Sequence, residues 1–188
     1  MDSRLHTLHH WLDQTLPPEP FTVERASDDA SFRRYFRVRQ NGRTWVAMDA
    51  PPDKEALQPY LQVTEALGGF GLHVPRVHAR DESQGFLLLD DLGDQLYLSA
   101  LTPERADQLY GDALGALLTL QACGQPTTAL PAYDTALLQR ELALFSDWYL
   151  GRHLALDLAP SAHTLLANTY ALLITNALEQ PQVWVHRD

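Results

Sequence analysis

Cysteine is almost missing from this 188-residue chain. Cys123 stands alone, which excludes an internal disulfide. No metal-ligand spacing surrounds it, and it reads as a small apolar residue near a helix end. No uninterrupted apolar run is long enough to cross a bilayer. The opening, Met1-Asp2-Ser3-Arg4-Leu5-His6, lacks the basic-then-apolar pattern of a secretory signal. An excess of positive charge is also lacking. The formal net charge is -10, so DNA or an anionic membrane surface would be repelled and neither is expected as a partner. Internal repeats and low-complexity tracts are absent too. These absences leave a soluble cytoplasmic protein as the expectation. The hydrophobic fraction of 45% is enough for a real core, and the length fits one domain, or a small domain joined to part of a larger one.

The chain opens with Leu5, Leu8, Leu12 and Leu16 at helical spacing, a pattern that Pro17-Pro18 stops. Strands follow. Phe21 to Arg25 reads as a short one. Ser31 to Arg39 alternates, with Phe32, Arg34, Phe36 and Val38 on one side and Arg33, Tyr35, Arg37 and Arg39 on the other. Asn41-Gly42 is a strong hairpin signal, and Thr44 to Ala50 is the returning strand. Asp53 is a candidate cap for a helix over Ala56 to Leu67, which Gly68, Gly69 and Gly71 break. Pro75 to Ala79 and Gly85 to Leu89 read as two more strands. Thr102-Pro103 starts a helix striped by Leu109, Ala113, Leu117 and Leu120. Two further helices are expected over Asp134 to Leu150 and Ser161 to Leu178, then a short strand Val183-Trp184-Val185.

Strands with one helix, followed by mostly helices, argue for an α+β chain built as two lobes. The natural boundary lies near Gly93 to Leu101. Residues 1–93 form the expected sheet-built, nucleotide-binding lobe with its N-terminal helix, and 94–188 the first part of a helical lobe.

The last three residues are His186-Arg187-Asp188, directly after the expected strand. In phosphotransferases with a protein-kinase-like fold, His-Arg-Asp opens the catalytic loop. Its aspartate orients or accepts the hydroxyl proton of the acceptor, because this transfer needs positioning and charge more than covalent chemistry. Asp188 is the candidate catalytic residue. The competing reading is a chance tripeptide, but its place after strand and helix supports the first. Such an ending leads us to expect an excised piece of a longer protein, with little or no kinase activity of its own.

Ala26 to Arg37 would cover the phosphates of a nucleotide. Small residues there let backbone N–H groups approach, although there is no glycine-rich motif. Ser31, Phe32, Arg33 and Arg34 are the candidates for nucleotide contact. A guanidinium suits bidentate phosphate binding, and strand alternation sends Arg33 and Arg34 to opposite faces, so either one qualifies. An ordinary polar hairpin remains the other reading. The strand Trp45-Val46-Ala47-Met48-Asp49 carries Met48 where a protein kinase has lysine, and Glu65 occupies roughly the place of that lysine's acidic partner. Gly85 to Leu89 reads as a buried strand entering a linker, in which Asp90, Asp91 and Leu92 would offer main-chain groups to an adenine.

Several segments in order carry a resemblance. They are Ala30-Ser31-Phe32-Arg33-Arg34-Tyr35-Phe36-Arg37-Val38, Met48-Asp49-Ala50-Pro51-Pro52, Leu72-His73-Val74-Pro75 and Leu88-Leu89-Asp90-Asp91-Leu92-Gly93. Arg140 to Leu150 and Val185-His186-Arg187-Asp188 complete the set. Together they resemble the aminoglycoside phosphotransferase-like family, and within it the anomeric kinases of N-acetylmuramate and N-acetylglucosamine. The resemblance implies a protein-kinase-like two-lobe fold, here truncated. It implies transfer of the ATP γ-phosphate to the anomeric hydroxyl of an amino sugar in cell-wall recycling. It implies ATP and Mg2+ as cofactors, with no metal ligand among these residues and those of the family expected beyond Asp188. In that branch Met48 is no obstacle. The helix carrying Arg140, Glu141, Asp147, Trp148 and Tyr149 would border the sugar, rings stacking on its faces and charged groups binding its hydroxyls and the lactate carboxylate. The competing reading is an amphipathic helix that packs Leu142, Phe145 and Tyr149 into the core. Other functional readings are a kinase of another small acceptor (an aminoglycoside, choline or homoserine) and a non-catalytic module that holds nucleotide or sugar.

Overall fold

The computed structural model describes residues 2–27, 32–124 and 130–186. Ser31, Arg187 and Asp188 lie outside the described residues, as does most of the small-residue stretch before Phe32. The chain divides into two compact units, Met1–Thr119 and Leu120–Asp188.

In the first unit, helix α1 spans Ser3–Thr15 and is capped by Asp2, whose carboxylate accepts the N–H groups of Arg4 and Leu5. Five strands follow: β1 Thr22–Ser27, β2 Arg34–Gln40, β3 Arg43–Asp49, β4 Val77–Asp81 and β5 Phe86–Asp90. They form one antiparallel sheet in the order β1-β2-β3-β5-β4, with helix α2, Gln58–Gly69, between β3 and β4 in sequence. The β2–β3 turn works because Asn41 (φ 50°) and Gly42 (φ 76°) both take left-handed backbone, which matches the twist of the hairpin.

Alternation along the strands gives the sheet two apolar faces. On one, Phe36, Val38, Ala47, Phe86 and Leu88 pack with Leu8, Trp11, Leu12 and Leu16 of α1 and the residue that follows it. On the other, Met48, Leu87 and Leu89 pack with Ala50, Leu57, Tyr35, Val46, Tyr60, Leu61 and Val77. The unbroken apolar run of β5 is thus explained: Phe86 to Leu89 are all buried because both faces are covered. The turn before β5 is fixed by Gly85 at φ +77°, where a Cβ would lie 1.9 Å from the Ala50 carbonyl oxygen.

Several elements start later than the sequence suggests, strand β2 among them, at Arg34 and not Ser31. Helix α2 begins at Gln58, not Ala56, and Asp53 does not cap it. The Pro51 carbonyl accepts the N–H groups of Lys54 and Glu55, which forms a separate turn, and Pro59 then favours a first helical turn. Strand β4 begins at Val77, since Pro75 has no N–H for the ladder. A short helix α3, Tyr97–Ala100, precedes α4, Ala106–Cys123; the expected start at Thr102-Pro103 is a lead-in turn whose Thr102 carbonyl accepts from Arg105 and Ala106.

The second unit holds the end of α4, then α5, Thr135–Leu144, and α6, Pro160–Leu178. Asp134 caps α5 by accepting the Leu137 N–H. The expected single helix over Asp134 to Leu150 is corrected: after Leu144 the chain widens into a nine-residue π-helix, Phe145–His153. The expected strand Val183 to Val185 is also corrected. No strand is assigned there, because those residues pair with no neighbour in a ladder among the described residues. No described helix is long and apolar enough to cross a membrane.

Candidate functional site

Strand β5 runs out into the two aspartates expected at the linker, and each is held by a different neighbour. Asp90 is tied to the β4 side. Its N–H donates to the Arg76 carbonyl (3.0 Å), while its carboxylate accepts the Arg76 N–H (3.0 Å) and meets His78 Nε2 at 2.6 Å. Asp91 is tied the other way. Its two oxygens accept from Nε (2.8 Å) and Nη2 (3.1 Å) of Arg37 in β2, and Oδ1 also accepts the Gly93 N–H (3.0 Å). Arg37 Nη1 lies 3.5 Å from Asp94. The Asp91 side chain is only 6% exposed, whereas Leu92 beside it is 54% exposed.

These contacts set the protonation of both groups. The His78 hydrogen bond, then the Arg76 N–H, holds the Asp90 carboxyl below the usual carboxylate range. Burial pushes Asp91 upward, but Arg37, the Gly93 N–H and Thr44 together outweigh it and leave that carboxyl low as well. Both are therefore anions at neutral pH.

The two adjacent arginines do part to opposite faces. Arg33 reaches Glu55 (3.3 Å) and lies over the Tyr60 ring on the α2 side. Phe32, 63% exposed, lies beneath the Lys54 ammonium. Arg34 turns to the α1 side. There Asp49, fully buried, accepts from Arg34 Nε (3.0 Å) and Arg4 Nε (3.1 Å), and Arg34 also pairs with Asp2. Arg4 further donates to the Gln84 carbonyl (2.8 Å). Met48 is fully buried among Leu57, Leu87 and Leu89, so the sheet offers no cation at the lysine position. Glu65 lines a groove of about 640 Å³ between α2 and β4, with His73, Arg76 and His78 around it.

In the second unit the five residues expected to border a sugar lie on α5 and the π-helix. Arg140 is exposed; Glu141 accepts the Tyr133 hydroxyl at 2.7 Å. Asp147, Trp148 and Tyr149 are consecutive in the π-helix. Trp148 is 55% exposed with the Arg152 guanidinium 4.1 Å from its ring centre, and Tyr149 stacks between Phe145 and His153. Phe145 and Tyr149 are about half exposed. Among the described residues no cluster of three or more His, Cys, Asp or Glu could hold a metal ion.

Sequence reading missed three pieces: the Arg37–Asp91 grip, the His78–Asp90 pair and the two-arginine seat of Asp49. Only the last left a trace, since alternation set Arg34 on one side with Phe36 and Val38; its partner Arg4 gave no signal.

Comparison with known proteins adds the relationship. The profile of the phosphotransferase enzyme family matches residues 22–188. A Pseudomonas aeruginosa protein named N-acetylmuramate/N-acetylglucosamine kinase is 48% identical over the whole of this chain and 58% of its own length. Relatives of the same name from Pseudomonas putida and Neisseria meningitidis are 43% and 36% identical, over 100% and 96% of this chain and 58% and 55% of their own. The chain thus spans less than two thirds of the length of the curated relatives it matches. A crystal structure from Ralstonia eutropha, provisionally described as an aminoglycoside phosphotransferase, shares the fold with a TM-score of 0.56 at 18% identity, over 87% of this chain and 51% of that one. With its antiparallel sheet leading through two anchored aspartates towards a helical unit, the chain belongs to the phosphotransferase enzyme family.

Proposed function

We propose that the full-length protein containing this chain is an ATP-dependent kinase of the anomeric hydroxyl of N-acetylmuramate and N-acetylglucosamine. The observation that carries the reading is similarity along the entire chain, at 48% identity, to a relative of that name. ATP would lie against the α2-side face of the sheet, with its base at the main chain of Asp90, Asp91 and Leu92. The fit rests on chemistry at the end of that face: Val46 is apolar and only partly buried, and both aspartate side chains are engaged within the protein, so a base would meet peptide groups and not carboxylates. When bound, ATP supplies the γ-phosphoryl group. Arg33 and Phe32, with Ser31, are assigned to its phosphate end; Arg34 serves the same end only by releasing Asp49 and Asp2.

Arg140, Glu141, Asp147, Trp148 and Tyr149 are assigned to the sugar, where exposed rings suit the apolar faces of a pyranose and the guanidinium suits a lactate carboxylate. Asp188 is assigned as the acceptor of the hydroxyl proton. Magnesium, which this chemistry uses to neutralise phosphate charge, has no three-ligand cluster among the described residues.

Incubating the full-length protein with ATP, magnesium and either sugar, and following the products by phosphorus NMR, tests this reading. Sugar 1-phosphate is expected. Turnover of an aminoglycoside, choline or homoserine in its place would move the protein to another acceptor. ATP binding without turnover of any acceptor would favour a non-catalytic module, a reading to which the buried Met48 lends support.

A further inference from the structure

Resting on the assignment of Asp90 to Leu92 to the nucleotide base, we propose that Arg37 is a positioning residue for the nucleotide, acting through Asp91. Arg37 sits in β2, opposite Val46 of β3, which in turn sits opposite Leu89 of β5. Its backbone is therefore two strand spacings from β5, roughly 9–10 Å. By alternation its side chain leaves the sheet on the α2 face, away from the Phe36 and Val38 face that packs on α1. From there it crosses β3 and takes both Asp91 oxygens at 2.8 and 3.1 Å.

Three features separate this contact from a surface ion pair. It is bidentate and charge-assisted. It is shielded, with side chains 15% and 6% exposed, whereas the neighbouring Arg39–Glu24 pair is 3.8 Å apart and 48% and 64% exposed. The same carboxylate also accepts the Gly93 N–H, which fixes the turn at Gly93, where φ is +84°. One carboxylate thus couples the middle of the sheet to the main chain from Asp91 to Gly93. Asp90 is pinned independently by β4. Releasing Asp91 leaves Asp90 in place but lets the segment after it rotate, and peptide groups that should meet a base lose their direction.

The test uses the full-length protein and the variants Arg37→Met, Arg37→Lys and Asp91→Asn, with Arg39→Ser as control. The measurements are KM for ATP, KM for the sugar, kcat, ADP affinity by calorimetry, and Tm. Positioning predicts that KM for ATP and Kd for ADP rise about five- to tenfold in Arg37→Met and Asp91→Asn, the scale of one ordinary hydrogen bond to the nucleotide lost. Kcat and KM for the sugar stay within about twofold, and Arg37→Lys, which keeps the charge and loses the fork, falls between. Arg39→Ser is expected to match the parent. Unchanged nucleotide affinity in Arg37→Met and Asp91→Asn overturns the proposal. So does a parallel loss in every parameter that tracks a drop in Tm, which is the signature of a structural strut. Should Arg37→Met not fold, Arg37→Lys carries the same readout, with about a threefold rise expected. If the parent protein turns over no sugar yet binds ADP, the kinase reading fails while ADP affinity still decides this inference. A parent that binds no ADP overturns both.

Discussion

Asp49 is a carboxylate with no exposed surface, seated between the guanidinium groups of Arg4 and Arg34. Removing its charge leaves two arginines facing one another across an apolar neighbourhood. Because both arginines keep some contact with water, Asp49→Ala is expected to destabilise unit one by about 3 kcal/mol, the low end for a broken buried pair, as read by urea melts. Gly85→Ala is expected to cost roughly 3 kcal/mol or more in the same assay, since a left-handed φ and the Ala50 carbonyl both oppose a Cβ. Acid sensitivity follows from Asp90 and Asp91. Asp90 and Asp91 have lowered folded-state pKa values, so the stability they add is present above the unfolded value near pH 4 and is lost as the pH falls through the lower folded values. Melts at pH 7, 4 and 3 are expected to show a shallower acid limb in Asp91→Asn than in the parent.

Helix α1 behaves as part of the sheet lobe. Leu8 and Leu12 are fully buried against Phe36, Val38 and Phe86, so Leu12→Ala is expected to cost about 2–4 kcal/mol by chemical denaturation. This helix and the β2–β3 hairpin were legible in the sequence because local patterns specify them: leucines at helical spacing, strict alternation, and Asn-Gly at the turn. The π-helix at Phe145–His153 was not, since no proline or glycine marks the change at Leu144–Phe145 and only the span of the backbone hydrogen bonds separates the two helix types. The site at the end of β5 was half legible. Asp90, Asp91 and Leu92 could be placed at the end of a buried strand, but the partner of Asp91 is 54 residues away and emerges only once three strands have a register. Alternation likewise sends Arg33 and Arg34 apart without saying which face holds Asp49.

At the scale of the chain, burial is unevenly shared. The first unit has two apolar clusters that cover both sides of its sheet, whereas the buried apolar side chains of the second, among the described residues, are Leu120 and Ile174. Hydrogen exchange on the 188-residue chain is expected to find its slowest amides in β2, β3 and β5, and faster exchange across α5, the π-helix and α6. The four tryptophans divide between the same two units: Trp11 and Trp45 in one, Trp148 and Trp184 in the other. Trp11 is enclosed at 8% exposure, whereas Trp148 presents more than half its surface beneath a guanidinium. Each half of the chain therefore carries its own optical label, a blue-shifted, quencher-shielded emitter on α1 and a red-shifted, iodide-accessible one on the π-helix, and a sugar stacked on Trp148 would dim the second without touching the first.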